Sequence, residues 1–296
     1  MSLFALPRVG RAGLGNELLP WARAEIFGRT SHARMLAPHW PLFRLGPYVR
    51  REPDKRNYRV LFDDTLYGSA LKRAAICMLG RRYHEQDGAL AANEARASAR
   101  PVIVEFRGIE RLFAPLIGHD RFIRDRLWAL TKSPLRPAAR PYGGRFIAMH
   151  VRRGDITRQG FAPEELLRVN QYTSLQWFEG MAYAIRRHRA LQGIPITVFT
   201  DGSPDEVAAL TAIDGVILHQ RASPITDLWT LAEAALLFAS GYSTFSMWAS
   251  FLAGMPTFYA PGKLQQRVLV NREDALETEL DAGADIPATA IERVSS

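Results

Sequence analysis

The sequence predicts an α/β protein with two Rossmann-like lobes, each built on a parallel sheet. Short apolar runs alternate with amphipathic segments in the second half, an order typical of β-α-β units. A Pro- and Gly-rich stretch at residues 133–144 predicts a linker near the middle. The chain has 296 residues, enough for two modest lobes. We therefore expect lobes at residues 1–140 and 141–296.

The elements of the second half follow in order. Thr173 and Gln176 have capping-box spacing, and Gly193 is expected to end the helix that they begin. The core face of that helix is predicted at Trp177, Phe178, Met181 and Ile185. A second helix is expected to start at Ser203. Strands are predicted at residues 146–151, 194–199, 216–218, 239–240 and 257–259, and further helices at 227–238 and 244–253. The acidic and then Ala-rich tail, 273–296, is expected to be partly mobile.

The first half shows a less regular pattern of the same kind. Strands are predicted at residues 33–36, 60–62 and 102–106. Helices are predicted at residues 16–27, 68–79 and 120–130.

Composition limits the classes of partner. The chain carries 38 Lys and Arg against 30 Asp and Glu, a net charge of +8, which favours anionic partners. The arginines are scattered, and the sequence has no helix-turn-helix, zinc-ligand or RNA-binding pattern, so no nucleic acid partner is expected. A single cysteine, Cys77, excludes an internal disulfide framework and suits a reducing compartment.

Residues 236–255 form an uncharged run of the length of a membrane span. Its many hydroxyls and the central Gly241 favour helix, short strand, turn and second helix instead, so no transmembrane span is predicted. The amino terminus lacks the basic region of a signal peptide. We expect a cytoplasmic protein and also consider peripheral contact with an acidic membrane face.

The most informative segment is the predicted strand 146–151, which runs into Arg152-Arg153-Gly154-Asp155. In open α/β sheets, ligands bind outside the carboxyl ends of strands. Two arginines there could clamp a phosphate. An ordinary charged loop explains the same residues equally well.

Two other strand ends carry candidate ligand-binding residues. Asp201 ends the predicted strand 194–199 and could accept hydrogen bonds from guanine, or be a plain loop residue. Ser243, Thr244 and Phe245 lie at a strand-to-helix turn, where helix N–H groups favour phosphate; a plain helix cap is the alternative. His150 could bind the base or ribose, or be a buried structural histidine.

These motifs, with Gly13-x-Gly15-Asn16, resemble in order and spacing those of the α-1,2-fucosyltransferases and the wider fucosyltransferase superfamily. The resemblance covers about residues 10–259 and implies a GT-B fold with a cleft between two lobes. It makes residues 1–140 the acceptor side, with the glycine-rich loop, and residues 141–296 the nucleotide-sugar-binding lobe. Two departures are Gly202, where the family often has a second acid, and residues 240–242, which replace a commoner Asn-bearing run.

The resemblance implies an inverting, metal-independent transfer of fucose from GDP-fucose to a glycan or lipid-linked saccharide, with no cofactor. Arg152 is the first choice for the pyrophosphate, with Arg153 sharing that task or pairing with Asp155. Arg152 and Asp155 are the catalytic candidates, and Gly15 and Asn16 would bring backbone close to the donor. The alternatives are a GDP-sugar transferase of different sugar specificity, or a non-catalytic nucleotide- or glycan-binding protein of the same fold.

Overall fold

The computed structural model describes residues 2–10, 12–38, 40, 57–137, 145–154, 165, 168, 171–270 and 276–295. The chain divides into two compact units, residues 1–136 and 137–296. The boundary predicted at 140/141 lies outside the described residues, as does the catalytic candidate Asp155.

Unit one is built on a four-stranded parallel sheet with the order β2-β1-β4-β3. Its strands are β1 (Leu3–Pro7), β2 (Arg34–Met35), β3 (Arg81–His84) and β4 (Val102–Phe106). Its helices are α1 (Leu14–Ser31), α2 (Ala70–Leu79), α3 (Gly88–Ala97) and α4 (Asp120–Leu130). Alternate residues of β4 pack into different clusters: Val102 and Val104 meet α1 and α3 residues, and Ile103 meets Ile76 of α2.

Unit two has a six-stranded parallel sheet with the order β10-β9-β8-β5-β6-β7. Its strands are β5 (Ile147–Val151), β6 (Ile196–Thr200), β7 (Val216–Leu218), β8 (Leu236–Ala239), β9 (Thr257–Tyr259) and β10 (Glu277–Glu279). Its helices are α5 (Leu175–Arg187), α6 (Ala208–Thr211), α7 (Pro224–Ala232), α8 (Thr244–Ala253) and α9 (Ala288–Ser295). The predicted α/β class with parallel sheets is confirmed.

The strand order of unit two reverses between β5 and β8. The chain proceeds outward from β5 through β6 to β7, and then outward on the other side from β8 through β9 to β10. The two central strands pair directly, with Ile147 opposite Leu236 and His150 opposite Ala239. Such a reversal opens a crevice at the carboxyl ends of the strands, where α/β sheets bind ligands.

Several predicted elements are corrected. The segment predicted as one helix at 227–238 contains two elements: most of α7, which begins at Pro224 after the cap Ser223, and the first residues of β8. The prediction failed because Leu236–Ala239 is a continuous buried apolar run, which periodicity cannot distinguish from part of a helix. Residues 60–62 do not form a strand, since Tyr58–Leu61 is a 3₁₀ helix. Helix α5 is capped by Ser174 rather than by Thr173 and ends at Arg187, before Gly193.

The carboxyl-terminal segment contributes to the core of unit two. Its strand β10 pairs with β9, and helix α9 buries Ala290 and Val294. The expectation of a partly mobile tail is therefore wrong for the described residues of this segment. None of the helices in the described part of the chain combines the length and the hydrophobicity needed to cross a bilayer.

Candidate functional site

The carboxyl ends of β5 and β8 are joined through Ser240. The Ser240 backbone N–H donates to the carbonyl of His150 at 3.0 Å. Its hydroxyl accepts from the backbone N–H of Arg152 at 2.9 Å. Ser240 is fully buried, so both bonds are shielded from water. The turn after β5 is thus held directly to the turn after β8.

His150 is a buried neutral base beside this junction. Its Nδ1 lies 2.6 Å from the hydroxyl of Ser246, and its ring centroid lies 5.3 Å from that of Phe245. Burial, and secondarily the charge of Arg152, lower the pKa of His150 to about 3. The imidazole is therefore uncharged at neutral pH and ties β5 to the first turn of α8.

Arg153 points into unit two. Its side chain is 3% exposed, its guanidinium lies 4.7 Å from the ring centroid of Tyr172, and Nη1 donates to the carbonyls of Arg152 at 2.8 Å and Thr173 at 3.0 Å. Nη2 is buried without a hydrogen-bond partner among the described residues. Burial lowers the pKa of Arg153, and this effect is opposed by Tyr172, Glu206 and Asp201. These contacts hold the segment before α5 against the turn.

Asp201 lies against the same turn. Its Oδ1 accepts a hydrogen bond from the backbone N–H of Arg153 at 2.6 Å. A Cβ at Gly154, whose φ is +20°, would overlap Oδ2 of Asp201. A Cβ at Gly202 would lie 2.7 Å from Cβ of Arg153, so a second acid at that position has no room. The Gly202 departure from the family pattern thus matches the close packing of this turn.

Arg152 differs from its neighbour in exposure. It is half-buried, whereas Arg153 is buried. It lies at the crevice, between the Ser240 junction and the Asp201 contact.

The turn before α8 supplies backbone donors. Tyr242 adopts a left-handed conformation with φ 51°, and Ser243 caps the helix by accepting from the N–H of Ser246 at 3.4 Å. The Gly241 N–H donates to the hydroxyl of Thr173 at 3.0 Å. Thr244 and Phe245 open the ten-residue helix and are half-buried. The first turn of a helix directs N–H groups and the positive dipole end outward, which suits phosphate.

The candidate site residues between positions 150 and 245 thus lie together at one edge of the sheet of unit two. They are His150, Arg152, Arg153, Asp201, Ser243, Thr244 and Phe245. The sequence pointed to no site role for Ser246 or Tyr172, and it indicated Thr173 only as a helix cap. Ser246 directly follows Ser243, Thr244 and Phe245 in the sequence, and this position could have marked it. No comparable signal marks Tyr172 or Thr173, because their contacts depend on distant segments.

The glycine-rich loop belongs to unit one. Gly15 and Asn16 lie in the first turn of α1, where the Asn16 N–H donates to the carbonyl of Gly13 at 3.1 Å. The buried carboxylate of Glu17 accepts from the backbone N–H groups of Gly10 and Ala12 and so ties the loop to the helix. The loop follows β1, a central strand of the sheet of unit one that pairs with β2 and β4.

No protein-family model and no curated protein matches the sequence. Solved structures are similar in fold. POFUT1 in complex with GDP-fucose is 13% identical with a TM-score of 0.52, covering 87% of this chain and 97% of that chain. A second crystal form of POFUT1 with GDP-fucose is 11% identical with a TM-score of 0.51, and the match covers 96% of this chain and 99% of that chain. The fucosyltransferase NodZ from Bradyrhizobium is 17% identical with a TM-score of 0.47, and the match covers 86% of this chain and 94% of that chain. The likeness to POFUT1 shows that the chain has the GT-B fold found in fucosyltransferases.

Proposed function

We propose that this protein is a glycosyltransferase that moves fucose from GDP-fucose to a hydroxyl of a glycan or a lipid-linked saccharide. The observation that carries the proposal lies at the strand-order reversal of unit two, where the backbone of Arg152 is bonded to Ser240, four residues before the start of α8. A guanidinium and a helix terminus at one crevice are suited to a diphosphate. The shared fold with POFUT1, whose structure contains GDP-fucose, supports this choice of donor.

The chemistry follows from the leaving group. The acceptor oxygen attacks the anomeric carbon of fucose on the face opposite GDP, the carbon–oxygen bond to the diphosphate breaks, and GDP leaves with the electron pair. This inverts a β-linked donor to an α-linked product. Negative charge develops on the departing diphosphate, where Arg152 and the first-turn N–H groups of α8 would stabilise it. These donors perform the task that a divalent cation performs elsewhere, so we propose metal-independent transfer.

The acceptor hydroxyl must lose a proton, and a general base accelerates that step. Asp155 and Glu17 are the two candidates for this base. Asp155 follows the arginine turn in sequence and lies outside the described residues, whereas the buried carboxylate of Glu17 already accepts from the N–H groups of Gly10 and Ala12. His150 is less suited, because burial keeps its pKa near 3 and its Nδ1 contacts Ser246.

Two roles are refined. Asp201 was predicted to accept from guanine, but its Oδ1 already accepts from Arg153, so we propose that Asp201 acts by fixing the turn that carries Arg152. Arg153 is proposed as a positioning residue, since its guanidinium contacts Tyr172, Thr173 and the carbonyl of Arg152. Arg152 is then the arginine of the pair that binds the donor.

The test is release of GDP from GDP-fucose by the purified protein, with and without saccharide acceptors, in buffer containing EDTA. We expect slow hydrolysis alone and faster release with the right acceptor. GDP-linked hexoses serve as competing donors: faster turnover of one of them would assign a different sugar. Binding of GDP without turnover of any donor would indicate a non-catalytic protein, and activity lost with EDTA and restored by Mn²⁺ would contradict the metal-independent chemistry.

A further inference from the structure

Helix α2 turns its large apolar side chains toward solvent. Leu71, Met78 and Leu79 are 84%, 80% and 67% exposed. Their spacing of seven and eight residues places them on one side of a helix, with Ala74 and Ala75 between them. The buried side chain of the helix is Ile76, which packs against the sheet. The exposed stripe is therefore formed by residues 71, 74, 75, 78 and 79, and we call it the apolar stripe.

The apolar stripe belongs to a wider concentration of such residues. Twelve large hydrophobic side chains are exposed in the described part of the chain, and five of them lie within residues 60–79, including Val60 and Leu66. Isolated exposed apolar residues need no explanation, but clustered ones mark a surface that meets a partner or a membrane.

The charged side chains of α2 itself are both basic, Lys72 and Arg73, and Arg82 follows the helix. Arg81 is turned to the other side, where it pairs with Glu94 of α3 at 2.7 Å. Arg82 donates to the carbonyl of Cys77, in the last turn of α2, at 2.9 Å and to Glu105 at 2.8 Å. The basic segment is thus fastened directly to the carboxyl-terminal end of the helix.

Glu105 extends this basic region. It is a buried carboxylate on β4 that pairs with Arg8 and Arg107 as well as with Arg82. Three guanidinium groups against one carboxylate leave a local charge of +2. The paired arginines lower the pKa of Glu105 against the opposing effect of burial, so the carboxylate stays ionised and the arginines stay in place.

We propose that α2 docks on an anionic lipid bilayer, with the apolar stripe in the boundary between headgroups and acyl chains and the basic residues on lipid phosphates. A basic amphipathic helix with exposed Leu and Met side chains has the chemistry of an interfacial helix. A second copy of this chain fits less well, because a two-fold contact would place the basic segment against itself. An acidic surface complements both the stripe and the charge. The proposal does not depend on GDP-fucose as donor.

The test is sedimentation with vesicles of phosphatidylcholine alone and of phosphatidylcholine with phosphatidylglycerol. Wild type should bind the anionic vesicles, and Leu71→Ser with Met78→Ser should lose that binding by tenfold or more. Leu90→Ser is the matched control, because Leu90 is a 60% exposed leucine on α3. Both sets replace exposed side chains, so circular dichroism and the melting temperature should not change.

Charge is tested by a second matched pair. Lys72→Glu should weaken binding by roughly fivefold or more, since each basic residue near an anionic surface contributes about 1 kcal/mol. Arg96→Glu makes the same charge change on exposed α3 and should leave binding unchanged. Equal binding to both vesicle types, no binding to either, or full binding by the stripe variant would overturn the proposal. A concentration-dependent dimer that Leu71→Ser disrupts, without vesicle binding, would assign the stripe to a second copy instead.

Discussion

The backbone N–H of Arg153 donates a hydrogen bond to Oδ1 of Asp201 across 2.6 Å, which joins the turn after β5 to the end of β6. This contact holds Asp201 against the arginine turn. It also fixes the backbone from which the half-buried Arg152 extends.

Asp201→Asn and Asp201→Ala distinguish this role from recognition of guanine. Asparagine retains an acceptor oxygen, so stability and GDP affinity should stay near wild type. Alanine leaves the Arg153 N–H without its acceptor, which costs about 1–3 kcal/mol and lowers the melting temperature by roughly 2–4 °C per kcal/mol. Differential scanning calorimetry and calorimetric titration with GDP measure both. A tenfold or larger loss of GDP affinity in Asp201→Asn would restore the guanine assignment.

Gly154→Ala should damage both fold and activity. The added Cβ would meet the carboxylate of Asp201 at a position whose φ is +20°. Gly193→Ala is the control, because nothing lies within 4 Å of a Cβ at Gly193. The prediction is a lower melting temperature and little donor turnover for the first variant, and wild-type values for the second. Wild-type behaviour of Gly154→Ala would mean that the turn is not packed as described.

Arg152→Lys should reduce donor turnover, whereas Arg153→Lys should reduce stability. Lysine at 152 keeps the charge but loses the planar fork, so turnover should fall by roughly 10²-fold or more with the melting temperature unchanged. Lysine at 153 loses paired hydrogen bonds to two carbonyls and the contact with Tyr172, so stability should fall by about 1–3 kcal/mol. Thermal unfolding and steady-state rates separate the two effects. A stable but inactive Arg153→Lys would instead place Arg153 in direct contact with the donor.

His150 should make the protein sensitive to acid. Its pKa in the folded state, about 3, is far below the usual 6.5, so between these two pH values the unfolded chain binds a proton that the folded chain does not bind. The free energy of unfolding is therefore unaffected by this group above pH 6.5. It decreases by about 1.4 kcal/mol per pH unit as the pH falls from 6.5 to about 3. His150→Asn does not titrate, so its free energy of unfolding should change less between pH 7 and pH 4. Parallel curves for the two proteins would contradict the low pKa.

The sequence predicted elements well where local signals bound them. Helix α8 runs over residues 244–253 as predicted, because Ser243 caps its start and Gly254 ends it with φ 67°. Helix α4 and strands β4, β7 and β9 also have their predicted bounds. Strand β3 was missed, since Arg81–His84 is a polar, mostly exposed segment that becomes a strand by pairing with β4.

Part of the candidate site could also be predicted from the sequence. Residues at the ends of apolar strands could be named, because parallel strands bring their carboxyl ends to one edge. The partners that fix them could not be named, since Ser246 lies 96 residues from His150, and Thr173 lies 68 residues from Gly241. The different burial of Arg152 and Arg153 also could not be predicted, because adjacent side chains after a strand need not face the same way.

Calorimetric titration of GDP and UDP into wild-type protein and Arg152→Lys tests the proposed donor site most directly. We expect wild type to bind GDP more tightly than UDP. We expect Arg152→Lys to weaken GDP binding tenfold or more with an unchanged melting temperature, because the arginine engages the diphosphate. Preference of the wild type for UDP, or equal GDP affinity in the two proteins, would contradict the assignment of the crevice between β5 and β8 as a GDP-fucose site.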